Sequence, residues 1–214
     1  MSYDPHMYGQ IRLPNYVKCY QSERDFIEHI YPTAILRNPS ANSHFFNDRA
    51  ILCARNLEVE AINSLIAERV AGDTVTLLSE DKSDVPEGDP INSYPIEYLH
   101  AQNTSGIPPH KLELQVGMPV MLLRNINPDR GLCNGTRLKI HRIGQYVLLV
   151  SILGAVDGSR LELIHRFTLS TLQGQLSFIL TRKQLHIKVC FAMTINTFQG
   201  QSLKVVGVDL RTPV

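Results

Sequence analysis

The residues of this chain best suited to chemistry are uncharged. Thr194, Asn196, Thr197 and Gln199 lie close together, followed at once by Gly200 and then by Ser202. Hydroxyl and amide side chains both donate and accept hydrogen bonds, so at a helix end or tight turn they suit phosphate and sugar oxygens. The same stretch, Phe191 to Leu210, also fits an ordinary helix-to-strand connection with Gly200 as its C-terminal cap. Both readings stand on these residues alone.

Other chemistries find less support. The cysteines Cys19, Cys53, Cys133 and Cys190 form no C-x-x-C pair, and the 8 histidines are scattered with no H-E-x-x-H. A reducing compartment and no structural metal are therefore expected. No apolar run approaches the ~20 residues of a membrane span, and MSYDPHMYGQ lacks the basic and apolar regions of a secretory signal. A soluble globular chain with no membrane partner is expected from 43% hydrophobic and 19% charged residues.

Charge is divided unevenly. Residues 1–100 carry 8 Lys/Arg against 15 Asp/Glu, whereas residues 101–214 carry 13 against 5. A surface for a polyanion belongs in the basic half. Arg137, Lys139, Arg182 and Lys183 are its candidate nucleic-acid contacts; simple solvation of that half is the alternative.

The elements that must position these groups fall into two kinds. Ser22 to Ile30 reads as a short capped helix. Ala50 to Ala54 reads as a buried strand, followed by a helix with Asn56 as its cap and Val59, Ile62, Ile66 and Val70 on one face. Thr74 to Leu78 then reads as a second strand, which predicts a βαβ unit and a parallel sheet. Arg55 stands at the carboxyl end of the first strand, where such sheets bind ligands, and reads either as a phosphate contact or as a surface arginine at a helix start. Glu80 to Asp89 reads as an exposed acidic loop. From Leu112 onward, short strands are broken by turn signals at Asn127–Gly131, Asn134-Gly135 and Asp157-Gly158. Strands at Leu176–Leu180 and Leu185–Cys190 are expected to join through Thr181-Arg-Lys-Gln184. Short strands at this density suggest a small barrel of the SH3 or OB kind. The expected architecture is an α/β domain interrupted by that barrel, with Val205 to Leu210 completing the sheet begun at Ala50.

Four segments, in order, carry a resemblance. They are Arg49-Ala-Ile-Leu-Cys-Ala-Arg-Asn56; Ser105-Gly-Ile-Pro-Pro-His110; Gly117-Met-Pro-Val-Met-Leu-Leu-Arg-Asn125 with Gly131-Leu-Cys-Asn-Gly-Thr-Arg137; and Phe191-Ala-Met-Thr-Ile-Asn196 with Gln199-Gly-Gln-Ser202. Together they resemble the C-terminal half of the petite-integration-frequency family of DNA helicases, especially its Helitron transposon branch. The resemblance implies a RecA-like second domain, residues 1–112 and 191–214, interrupted by an SH3-like insertion at residues 113–190. It also implies a single-stranded DNA partner, 5′-to-3′ ATP-dependent unwinding, ATP and Mg²⁺ as the intact parent's cofactors, and the nucleus as location, with mitochondrion or cytoplasm as alternatives.

Carried across by position, Thr194, Asn196, Gln199 and Gly200 resemble the family motif that touches the sugar–phosphate backbone. Ser202 and Arg55 would face the nucleotide. The chain departs from the family where Thr197 replaces a lysine and Phe198 a small residue. No G-x-x-x-x-G-K-[S/T] occurs, so no phosphate cradle is encoded. Phosphoryl transfer needs cradle, Mg²⁺ site and charge-stabilising arginine together. The chain alone is therefore expected to bind neither ATP nor Mg²⁺ tightly and not to hydrolyse ATP, the missing N-terminal RecA-like domain being an implied partner. Two other outcomes are a stand-alone single-strand-binding barrel and a non-functional gene remnant.

Overall fold

Helix signals near the N-terminus act as the sequence predicts. The first helix, α1 (Glu23–Ile30), is capped by Ser22, whose hydroxyl accepts from the Asp25 N–H at 3.4 Å, and its acidic first turn suits the positive end of the helix dipole. Then come α2 (Thr33–Leu36), β1 (Arg49–Cys53) and α3 (Asn56–Ala67). Arg55, not Asn56, holds the cap position of α3, with its backbone N–H donated to Glu58 Oε2 at 3.0 Å. The chain continues through β2 (Val75–Leu78), β3 (Glu80–Asp84), α4 (Ile96–His100), β4 (Lys111–Leu114) and β5 (Pro119–Leu122). After a 3₁₀ turn at Pro128–Arg130 follow β6 (Arg137–Ile143), β7 (Val147–Ile152), β8 (Leu161–Ser170), β9 (Ile179–Leu185) and β10 (Ile187–Val189). The last elements are β11 (Ala192–Thr194), α5 (Ile195–Phe198) and β12 (Val205–Asp209). This computed structural model describes residues 13–42, 44–84, 94–102, 104, 106–155, 160–199 and 202–212. No helix among them is long and apolar enough to cross a membrane.

The described strands form three sheets, two larger ones and a two-stranded one. In the first, β1 is central, with β11 parallel on one side and β12 parallel on the other. The final strand thus joins the one begun at Ala50, as expected. The continuous run Ala50–Cys53 is buried, as an interior parallel strand requires. Ile27, Ile30 and Leu36 pack with Val59, Ile62 and Ile66 of α3 and with Tyr31, Phe46 and Phe191.

The expected βαβ unit does not form. β2 pairs antiparallel with β4, from Val75 opposite Leu114 to Leu78 opposite Lys111. Leu77 alone is buried in β2, and a strand with one sheltered side chain cannot take an interior parallel position. The acidic stretch is also more than a loop. Glu80–Asp84 forms β3 against β9, placing Glu80 opposite Lys183 and Asp81 opposite Arg182; residues 85–89 of that stretch lie outside the described residues. Thr181–Gln184, expected as a turn, is the middle of β9, and the break comes at His186.

The second sheet has the order β10-β5-β6-β7-β8-β9-β3. Its edges are β10 and β3, so the expected barrel is an open antiparallel sheet and not a closed one. It is nevertheless strongly curled: the chain runs from β9 straight through His186 into β10, pairing with β8 at one end of the sheet and with β5 at the other. Leu122, Leu138, Ile140, Leu148, Val150 and Ile164 fill its concave side. Leu77, Leu112 and Leu114 from β2 and β4 belong to the same core. Packing therefore begins the second module near residue 75, whereas the sequence set the division at residues 112/113.

The modules meet closely at Gly117. This residue has φ +89°, and a Cβ there would lie 2.9 Å from Pro39 Cβ, so only glycine fits both the backbone and the seam. Met118 next to it is buried in the core of the first module.

Candidate nucleic-acid interface

Positioning begins with one buried amide. Asn63 of α3 accepts the N–H groups of Phe191 and Ala192 on Oδ1, both at 2.8 Å, and donates Nδ2 to the Ala192 carbonyl at 3.1 Å. An internal helix face thus fixes the start of β11. Tyr31 Oη adds a 2.8 Å bond to the Phe191 carbonyl, and burial raises its phenol well above the ordinary value. Three residues on, Thr194 caps the short α5. Its hydroxyl accepts from the Thr197 N–H at 3.4 Å and lies 2.7 Å from Thr197 Oγ1. Asn196 and Gln199 are exposed, and Gly200 lies outside the described residues.

A second turn faces this one across a cleft of about 470 Å³, lined by Asn47, Asn134–Arg137, Ile152–Gly154, Thr197, Gln199, Ser202 and Leu203. Gly135 has φ +85°, which the tight-turn signal required, and its N–H is donated to the Leu122 carbonyl. The Asn134 N–H is donated to Asn125 Oδ1 at 2.8 Å. Thr136 Oγ1 donates to the Gly131 carbonyl and accepts from the Cys133 N–H. The turn is therefore held by its own side chains, and Asn134, Gly135 and Thr136 line the cleft.

Arg137 closes the floor. It is 5% exposed, its Nη2 donates to the Arg49 carbonyl at 2.9 Å, and its Nε has no partner among the described residues. That N–H is itself buried, so Arg137 adds positive charge to the cleft lining from behind and not an exposed donor.

The remaining predicted residues are dispersed. Ser202 lines the same cleft as Gln199, whereas Arg55 does not. Arg55 is exposed past the carboxyl end of β1. There Cys53 has its thiol pushed up to about 12 by burial, and Asp209 is held below the usual carboxylate range by Arg211. Arg211 also pairs with Glu23.

The basic patch read from the sequence needs correction. Arg182 is fully buried: Nε and Nη2 clasp Asp81, Nη1 donates to the carbonyls of Gln102 and Pro108, and Nη2 also reaches the Leu99 carbonyl. It offers no charge to a surface ligand. Lys139 is buried against the Ser40 carbonyl at 3.5 Å, and Lys183 pairs with Glu80 at 3.2 Å. Arg137 alone of the four reaches the cleft.

The sequence missed Asn63, Asp81 and Asn134. Asn63 had a detectable signal, an amide beside Ile62 on an apolar helix face; Asp81 had none, since its burial depends on the pairing of β3. Asp81, His100 and His110 also bring donor atoms within 4.8 Å of one another, among the described residues the one group at metal-ligand distances. The Asp81 oxygens are taken by Arg182, and Ser79 Oγ sits 2.5 Å from one of them. The guanidinium opposes a cation there.

Comparison with known proteins bears on this cleft. Residues 97–143, which include the Asn134 turn and Arg137, match the family described as the 2B domain of the DNA helicase Pif1. Over 104 residues the chain is 36% identical to the human ATP-dependent DNA helicase PIF1, covering 46% of this chain and 15% of that protein. Over this part of its length the chain is similar to the Pif1 DNA helicases. The fold agrees: the crystal structure of Pif1 from Candida albicans superposes with a TM-score of 0.58 at 22% identity, over 90% of this chain and 49% of that one. Bacteroides Pif1 bound to single-stranded DNA superposes at 0.51 and 20% identity, over 88% and 43%. This chain spans about half or less of these Pif1 structures. The 2B match starts inside α4, whose Leu99 is buried against Phe178 and Leu180.

Proposed function

We propose that the cleft grips the sugar–phosphate backbone of single-stranded DNA, and that the chain is the DNA-gripping part of a 5′-to-3′ DNA helicase powered by ATP and Mg²⁺. The observation that carries this is convergence. Two stretches far apart in sequence, Asn134 to Arg137 on one side and Thr197, Gln199 and Ser202 on the other, supply amides, hydroxyls and one guanidinium group to the lining of a single cleft. Neutral donors plus few charges suit backbone contacts that hold any sequence.

ATP does not fit these residues alone. The sequence has no phosphate-cradling loop, and Arg211 at the strand ends is tied to Asp209 and Glu23. Hydrolysis then needs a P-loop domain from the same polypeptide or another, and that domain is a proposed partner. Location in the nucleus, proposed from the family resemblance, is checked by imaging a tagged chain; exclusion from the nucleus would refute it.

Fluorescence anisotropy with a labelled oligo(dT) tests the grip. At low salt the chain should bind, and Asn134→Ala with Gln199→Ala should weaken binding about tenfold or more, two neutral hydrogen bonds at ~1 kcal/mol each. Absence of binding by the wild-type chain at low salt would refute the proposal. Phosphate release from ATP by the chain alone would refute the need for a P-loop partner.

A further inference from the structure

A second cleft, about 400 Å³, lies between the end of α2 and the β6–β7 hairpin. Arg37, His141 and Arg142 line it, with Asp73 as its one carboxylate and Ser40 in its wall. Arg37 and Arg142 are exposed and have no carboxylate partner among the described residues. On a regular strand His141 and Arg142 would point to opposite faces. A bulge prevents this: Ile140 stands opposite Val150 and Arg142 opposite Leu149, so one residue is inserted and both side chains reach the same cleft. Bulges re-aim side chains in this way beside binding sites.

Behind that wall lies Lys139, 6% exposed, whose only polar contact among the described residues is the long bond to the Ser40 carbonyl. A buried ammonium is ordinarily paired with a carboxylate. Here burial depresses its pKa, and burial together with Lys139 depresses that of His141.

We propose that this second cleft is a phosphate-binding site that takes the backbone of a nucleic-acid strand. Arg137 reaches the first cleft and His141 the second from the same strand, about 13 Å apart at ~3.3 Å per residue. That distance matches roughly four nucleotides at the ~3.4 Å spacing of stacked bases. Lys139 between them is buried against the Ser40 carbonyl, so a strand that occupies both clefts crosses over this seam and does not lie along β6; the second cleft does not depend on the first.

Two measurements on the full chain test this. In anisotropy, wild type should bind oligo(dT) of 12 nucleotides more tightly than of 4. Arg37→Ala with Arg142→Ala should weaken the 12-mer at least tenfold at 50 mM salt, flatten its log–log salt slope by about 1.4, and leave the 4-mer unchanged. In NMR, inorganic phosphate should shift the His141 ring signals saturably, and the same double variant should abolish the shift. An unchanged 12-mer slope together with no phosphate-dependent shift would overturn the site. If Asn134→Ala with Gln199→Ala leaves the 12-mer untouched while the arginine variant abolishes binding, the first cleft fails and the second stands.

Discussion

Arg137 and Arg182 are two buried arginines with opposite surroundings. Arg182 meets a carboxylate and three carbonyls, and the charge is matched on every side. Arg137 meets one carbonyl together with the Tyr31 hydroxyl and the Cys190 thiol, and its buried Nε has no partner among the described residues. In sequence both are basic residues of short strands. The difference shows that burial alone does not remove a cation from function; what matters is whether its donors are spent. Arg182 fastens Leu99, Gln102 and Pro108 to β9, while Arg137 joins the modules with one buried donor unmatched among the described residues.

Breaking the matched pair should have the largest effect. Arg182→Leu strands Asp81 in the interior, and urea unfolding should show a loss of about 3–5 kcal/mol. Combining it with Asp81→Asn should recover part of that loss; no recovery would mean that Arg182 acts through its carbonyl contacts. The second effect concerns added charge in the same module. Burial, with help from Arg124, lowers the pKa of His186 from 6.5 to about 4. The unfolded chain therefore takes up this proton first, and stability should be full above pH 6.5 and fall as pH drops toward 4. The linked contribution is about 3 kcal/mol, read as a fall in unfolding free energy that His186→Gln flattens. The smallest effect tests the contrast directly. Arg137→Met removes one hydrogen bond to a carbonyl that Tyr31 also approaches, and should cost about 1–2 kcal/mol. Its DNA affinity should nevertheless fall, which Arg182 variants that remain folded should not show.

The sequence revealed those parts of the fold governed by local signals. Ser22, the spacing of Val59, Ile62 and Ile66, and the Asn134-Gly135 turn each act within a few residues, and each element appears. The parallel pairing of β1 with β12 followed from a continuous apolar run. What was not legible was partner choice. A one-sided strand such as β2 looks the same whether it pairs with β1 or β4, and Glu80–Asp84 looks like solvent-exposed chain until Arg182 is placed opposite Asp81. The site divides in the same manner. The hydroxyls and amides of Thr194–Gln199 were recognisable by type, but which basic residues join them depends on the long-range packing of β6 and β9. Charge balance located a basic half and could not reveal that three of its four chosen cations are buried.

The hold of Asn63 on β11 has a mechanical consequence. One amide spans both edges of the backbone at Phe191 and Ala192, so β11 cannot slip along β1 without losing three bonds at once. Thr194 and α3 must therefore move as a single lever. A displacement of Arg55 at the start of that helix would be felt at the cleft as a change of position, with no change in the internal geometry of either turn.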